Sequence, residues 1–221
     1  MTKRRAPVLP VYMDINVHEI FYSLQGEGTR TGFPSVFVRL SGCNLNCSWC
    51  DARAACEHGT ALNVSTVLER VLTFSSMDHV TITGGEPLIQ AGTPELITAI
   101  IERGIPVLVE TNGSLPVSLI PAGARKIVDV KTPSSGEEGS FLMENIDSMG
   151  LSDEIKFVIS DHEDYHYSSN FLKSRLKGFE GTVNFSPVHG DMPARTLANM
   201  ILEDRLAVRL NIQLHKYLGI E

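Results

Sequence analysis

Long apolar runs are missing from this chain of 221 residues, and no stretch approaches the roughly 20 residues that a membrane helix needs. A soluble, cytoplasmic protein without membrane contact is therefore expected. Basic residues are also scarce: 19 Lys and Arg stand against 26 Asp and Glu, giving a net charge of -7 and a pI near 5.5. Binding to phosphate backbones needs clustered cations, so nucleic acid is disfavoured and a small-molecule substrate is expected. The one basic run, Lys3-Arg4-Arg5, precedes Pro7 and Pro10, and no apolar segment of the signal-peptide kind follows it. Residues 1–14 therefore read as a solvated tail. Cysteine is confined to four residues crowded between positions 43 and 56, with no distant partners for disulfide staples. Such usage points to a reducing compartment and a metal. Repeats, low-complexity tracts and linkers are absent too, which leaves residues 15–221 as one domain, enough chain to bury one core.

What the chain does have is alternation. Strand-like runs fall at 36–40, 80–83, 106–110, 126–130, 154–159, 182–185 and 207–214. Helical periodicity lies between most of them, at 64–74, 94–103, 141–149, 165–177 and 193–204, while 114–125 is less clearly helical. Strands rich in Val and Ile taking turns with helices predict an α/β fold with a parallel sheet, either open or a partial barrel. Gly-, Pro- and polar-rich clusters follow nearly every strand, including Gly84-Gly85-Glu86-Pro87, Thr111-Asn112-Gly113 and Ser186-Pro187-Val188-His189. In parallel folds these ends converge on one face, so one composite ligand site is expected.

The run Cys43-Asn-Leu-Asn-Cys47-Ser-Trp-Cys50 has the spacing C-x3-C-x2-C. Three thiolates on a four-iron cubane leave one iron open to an external chelator. Two other readings compete with this one: a zinc site completed by His58, and a plain electron-transfer cluster completed by Cys56. Structural zinc loops use paired C-x2-C units, and an electron carrier has no need of the glycine-rich loops. Cys56 and the other histidines otherwise read as structural, since nothing in the spacing places them beside the three ligands.

The cysteine loop, with an aromatic residue before its last Cys, and Gly84-Gly85-Glu86-Pro87 after a strand resemble the radical S-adenosylmethionine superfamily. Two further segments are similar to one of its families, the 7-carboxy-7-deazaguanine synthases of queuosine precursor synthesis. They are Glu19-Ile-Phe-Tyr-Ser-Leu-Gln-Gly-Glu-Gly28, continued by Gly32, Pro34 and Arg39, and Gln213-Leu-His-Lys-Tyr-Leu-Gly-Ile-Glu221. The likeness runs from about residue 17 to the end.

The resemblance implies a pared-down partial (β/α) barrel with parallel strands. It further implies a lyase that turns 6-carboxy-5,6,7,8-tetrahydropterin into 7-carboxy-7-deazaguanine with loss of ammonia. Its cofactors would be a 4Fe-4S cluster on Cys43, Cys47 and Cys50, and S-adenosylmethionine. Trp49, Asp51, Gly85, Glu86, Asp129, Val130, Lys131, Ser186, Pro187, Val188 and His189 would contact that cofactor. Leu24, Gln25, Gly26, Glu27, Arg39, Thr83, His215 and the terminal Glu221 would contact the pterin. A flavodoxin-type reductant and a homodimer are implied as partners. One departure is Ala52, which stands where many members carry a Thr that ligates Mg2+, so Mg2+ dependence is expected to be weak or absent. An activating enzyme for glycyl-radical proteins, or a non-catalytic iron-sulfur or zinc protein, are the rival functions.

Overall fold

The computed structural model describes residues 13–220, and the expectations for most of the tail and for Glu221 lie outside that range. Nine strands form one sheet in the order β3-β1-β2-β4-β5-β6-β7-β8-β9. They are β1 (Asp14–Leu24), β2 (Pro34–Leu40), β3 (Thr60–Asn63), β4 (His79–Gly84), β5 (Val107–Thr111), β6 (Arg125–Asp129), β7 (Glu154–Ile159), β8 (Thr182–Pro187) and β9 (Arg209–Leu210). From β2 onward every neighbouring pair is parallel, whereas β1 pairs antiparallel with both β2 and β3. Consecutive parallel strands lying side by side give the open partial barrel expected of the sequence.

The central strands are buried on both faces, as strands under crossover helices must be. Val36, Val38, Leu40, Val80, Ile82, Val107 and Val109 are almost wholly inaccessible and share one core with the apolar faces of the helices. Helix α2 (Val64–Leu72) starts at Asn63, whose side chain accepts from Thr66 N at 2.8 Å, and buries Val64, Val67, Leu68 and Val71. Helix α3 (Thr93–Ile101) buries Leu96, Ile97 and Ile100, and α5 (Ala194–Glu203) buries Leu197 and Ile201. Helix α4 (His162–Arg175) is capped by Asp161, which accepts from Asp164 N at 2.9 Å. Two short helices, α1 (Arg53–Glu57) and α6 (Leu214–Leu218), flank the site described below. No helix among the described residues is long and apolar enough to cross a membrane.

Several expectations need correction. The tail ends earlier than read, because β1 begins at Asp14. Both β1 and β3 escaped the strand reading, and so did the antiparallel edge they make. Residues 141–149 contain a 3-10 turn, Met143–Ser148, instead of an α-helix: Asn145 spends its side chain on the backbone of Gly113, Leu115 and Val117. The last strand is only two residues long, because the chain turns at Asn211, whose side chain is taken up by Gly28 N and Ser186.

Candidate functional site

The C-terminal ends of the parallel strands open into a cavity of about 690 Å³. Its lining includes Cys43, Cys47 and Cys50 at one end and Gln25, Glu27, Glu110 and Lys156 at the other.

The cysteine loop leaves β2 through Gly42, whose φ of +90° lies in the region that glycine alone enters freely. From there it is clamped by backbone. Glu86 N donates to Gly42 O at 2.8 Å, Gly42 N to Ala55 O at 3.0 Å, and Ser48 N to Ser135 O at 2.9 Å. Side chains add to the clamp. Asn46 N donates to Glu137 Oε1 at 2.7 Å, and Arg53 Nη2 donates to Cys47 O at 3.0 Å. Trp49 Nε1 donates to Ser134 Oγ at 2.9 Å, and Lys131 Nζ sits 5.5 Å over the Trp49 ring. Ser134 is in turn anchored through its N and Oγ to the buried carboxylate of Asp164 at 2.9 and 2.5 Å. Helix α4 thus fixes the loop that carries the three thiols.

All four cysteines are free, and among the described residues no group of three or more His, Cys, Asp or Glu side chains is arranged to hold a single metal ion. Three soft donors lining an open volume beside a glycine-rich loop suit a four-iron cluster with one iron left open. His58 is 78% exposed, pairs with Glu57 and does not line the cavity, which removes it as a fourth ligand. Cys56 is a correction. Helix α1 folds it back so that its thiol lies within hydrogen-bonding range of the Cys50 and Cys43 sulfurs, and burial, helped by those neighbours, pushes it up to about 11. Three thiolates still suffice for a cluster. Cys56→Ala is thus expected to reconstitute with four irons per chain by iron and sulfide assay, whereas replacing any of the other three lowers that content by at least half.

At the other end, Gln25 is held by Thr81 Oγ1 and Glu110 Oε1, each at 3.3 Å, and Thr83 Oγ1 donates to Glu110 Oε2 at 2.9 Å. Lys156 Nζ lies 2.8 Å from Glu27 Oε2 and 3.8 Å from Asp129 Oδ2, and Lys131 Nζ lies 3.0 Å from that same oxygen. Three carboxylates and two ammoniums are thereby packed between the strand ends. Burial works against the charge of Glu27, but Lys156 and Gln213 outweigh it and hold the carboxyl at about 2. Burial likewise opposes the charge on Lys156, and Glu27, Asp129 and Glu110 overcome it, so this lysine sits above its ordinary value. Glu110 is pushed up, first by burial and then by Glu27 despite the counteracting Lys156. Burial lowers His215, which favours a neutral ring.

Asp129 lines the cavity, and its Oδ1 is buried with no hydrogen-bond partner among the described residues, the kind of acceptor that a ligand hydroxyl satisfies. Gly85 also fits a ligand-bearing loop, since a Cβ there would meet Gly42 O at 2.0 Å. Helix α6 closes one side of the cavity. Leu214 N donates to Gly26 O at 2.9 Å, Gln213 Nε2 to Glu27 Oε1 at 2.6 Å, and a Cβ on Gly26 would strike the His215 ring at 1.9 Å.

Most of the residues expected from the sequence share this cavity: Leu24, Gln25, Gly26, Glu27, Arg39, Thr83 and His215, and also Trp49, Asp51, Gly85, Asp129, Lys131, Val188 and His189. Arg39 pairs through Nε with Glu19 at 2.7 Å and lies 5.5 Å over the Phe21 ring, and its terminal nitrogens have no hydrogen-bond partner among the described residues. Four expected contacts do not line the cavity. Glu86 is wholly buried, and its carboxylate accepts from Leu88 N, Thr111 Oγ1 and Asn112 N at 2.9, 2.8 and 2.7 Å. Val130 packs in the core, Ser186 is bonded to Asn211, and Pro187 lines a separate cavity of about 260 Å³. Glu110, Lys156, Asn112 and Cys56 line the cavity and were missed as site residues.

The radical SAM superfamily model matches residues 37–134. Two curated relatives, both 7-carboxy-7-deazaguanine synthases, are similar over nearly their whole length. That of Koribacter versatilis is 41% identical, covering 92% of this chain and 96% of its own. That of Chlorobaculum tepidum is 39% identical, covering 92% and 94%. In three dimensions the chain is similar to the crystal structure of QueE from Escherichia coli, with a TM-score of 0.79 at 23% identity over 92% of this chain and 96% of that one.

Proposed function

Because the chain belongs to the 7-carboxy-7-deazaguanine synthase family of the radical SAM superfamily, we propose that it converts 6-carboxy-5,6,7,8-tetrahydropterin to 7-carboxy-7-deazaguanine with loss of ammonia. The observation that carries this reading is one cavity holding three free thiols at one end and a buried set of paired acids and bases at the other.

Cys43, Cys47 and Cys50 would hold the 4Fe-4S cluster. Its fourth iron would take the amino-acid end of S-adenosylmethionine beside Gly85, with Trp49, Asp129 and Lys131 along the rest of that cofactor. When bound, these groups supply the one-electron cleavage that yields a hydrogen-abstracting carbon radical. The chain's own residues orient the pterin. Glu27 and Glu110 offer carboxylate oxygens to its guanidine-like edge, and Gln25 presents an amide from the same wall. Lys156 keeps Glu27 ionised, so that this acceptor is present at neutral pH. The free terminal nitrogens of Arg39 serve the substrate carboxylate, for which a guanidinium fork is the matched donor. His215, held neutral by burial, offers one donor and one acceptor and covers the loop at Gly26. Glu86 acts indirectly, bracing Asn112 against the glycine loop.

A reducing cytoplasm suits four free thiols, and a flavodoxin-class protein is the electron donor we assign. A homodimer is the assembly we assign. Anaerobic reconstitution, followed by assay with reductant, S-adenosylmethionine and the carboxytetrahydropterin, tests the whole reading. The expected result is 5'-deoxyadenosine together with the ring-contracted product. Nucleoside without that product would favour an activating enzyme, and neither would favour a non-catalytic protein.

Ala52 caps α1 and lines the cavity with a methyl group that ligates nothing. Hard Mg2+ would then be held only by substrate oxygens and water. Activity is accordingly expected to change less than about twofold between chelator and millimolar Mg2+, and strict Mg2+ dependence would overturn this. Ala52→Thr is expected to increase the response.

A further inference from the structure

Asn112 leaves β5 directly behind Thr111 and is only 6% exposed. Two neighbours determine how its side chain points. Ser114 donates to Asn112 Oδ1 from its backbone N at 3.0 Å and from its hydroxyl at 2.7 Å. With the amide oxygen occupied by two donors, the NH2 must face the other way. There it donates to Asn44 Oδ1 at 3.1 Å and points to Cys43 Sγ at 3.9 Å. Asn44 Nδ2 then donates to Ser114 Oγ at 2.8 Å and closes a ring of three side chains. Every donor and acceptor in the ring is consistent with one orientation of both amides. Cys43 Sγ also receives Leu45 N at 3.5 Å, and among the described residues no nitrogen donor reaches the sulfurs of Cys47 or Cys50.

We infer that Asn112 sets the reduction potential of the cluster that Cys43, Cys47 and Cys50 hold, an inference that rests on the function proposed above. A single electron added to a 4Fe-4S cluster increases the negative charge shared by its thiolates. An N–H aimed at one sulfur stabilises that electron-rich form more than the oxidised one, which raises the potential. The ring of Asn44 and Ser114 keeps the N–H aimed. Asn112 is a tuning and positioning residue, with no part in the substrate's bond changes.

The test is a redox titration of the reconstituted full-length chain, with dithionite supplying the electron through mediators and the reduced cluster read by EPR. Asn112→Leu removes the donor, and Asn112→Asp replaces it with an acceptor while keeping the partner of Ser114. In both variants the ratio of reduced to oxidised cluster at a fixed potential is expected to fall about tenfold or more, about 59 mV for a one-electron couple, with iron and sulfide content at the wild-type level. Ser114→Ala removes the hydroxyl that donates to Asn112 Oδ1 and accepts from Asn44 Nδ2, keeps the backbone donor, and is expected to shift the ratio in the same direction by less. Wild-type potentials in cluster-replete Asn112 variants overturn the inference. If those variants fail to hold iron, an unchanged potential in Ser114→Ala overturns it instead. A wild-type chain that takes up no four-iron cluster defeats both this inference and the function beneath it, and that outcome shows in the wild type alone.

Discussion

Replacing Lys156 with Met is expected to lower kcat/KM for the pterin by about a thousandfold and to destabilise the chain by about 3–5 kcal/mol, the range for removing one partner of a buried ion pair. Lys156 is 13% exposed and stands among Glu27, Asp129 and Glu110. Without it, Glu27 loses its cation and the three carboxylates repel one another at largely buried positions. Protonation of Glu27 then relieves the repulsion, and the ionised acceptor offered to the substrate disappears. The pH dependence gives the sign. In the intact protein the Glu27 carboxyl is lowered from 4.5 to about 2. A folded pKa below the unfolded one contributes stability that is complete above pH 4.5 and drains away as pH falls towards 2, about 3 kcal/mol in all. Lys156→Met should therefore lose most of its stability deficit in acid, because the contribution of the ionised Glu27 drains out of the intact protein as pH falls towards 2. Chemical denaturation from pH 3 to 7 measures this, and a deficit that stays constant across the range would refute the pairing. Glu27→Gln added to Lys156→Met should recover much of the stability and little of the activity. That split would separate the charge balance from the role in binding.

The same lysine shows what the sequence could and could not convey. The run Glu154–Ile159 reads as a buried strand because Ile155, Phe157, Val158 and Ile159 dominate it, and β7 is indeed buried. A charge inside a strand covered on both faces has to find a partner, and both Lys156 and Glu110 carried that signal without its being used. The partner could not have been identified, because Glu27 lies 129 positions away and meets Lys156 only when β1, its following turn and β7 reach the same rim. Cys56 was hidden by a shorter version of the same problem. Counting residues from Cys50 suggests separation, while the single turn of α1 brings the thiol back to its neighbours. The strand β1 was hidden because its alternation is confined to its start, where Ile15 and Val17 are buried between exposed Asp14 and Asn16, while the residues from His18 to Leu24 are half-buried or exposed. The parallel core, the cysteine loop and the glycine loop were legible because local spacing alone defines them. Glu86 shows the limit of motif reading, since its carboxylate is turned inward onto Leu88, Thr111 and Asn112.

Gly85→Ala is expected to abolish cluster retention and to reduce activity by more than a hundredfold, although it adds only one methyl group. Gly85 and the cysteine loop approach each other backbone to backbone. A Cβ at this position would lie 2.0 Å from Gly42 O, 2.6 Å from Gly42 C and 2.9 Å from Cys43 Cβ. None of these atoms is the end of a flexible side chain, so the clash is relieved only by moving the peptide that carries Cys43. Such a move also breaks the bond from Glu86 N to Gly42 O, which at 2.8 Å ties the two loops together. Overpacking a rigid site costs about 1–3 kcal/mol, which a domain of this size survives, so the chain should still fold with its sheet intact. Failure should be confined to the metal: iron and sulfide per chain below half of wild type, with an unaltered far-ultraviolet circular dichroism spectrum. Gly150→Ala is the matched control, because a Cβ there meets nothing within 4 Å and its φ lies outside the left-handed region. Full iron content and normal turnover in Gly85→Ala would mean that the cysteine loop tolerates displacement. The tight apposition of the two loops would then have no bearing on how the thiols are held.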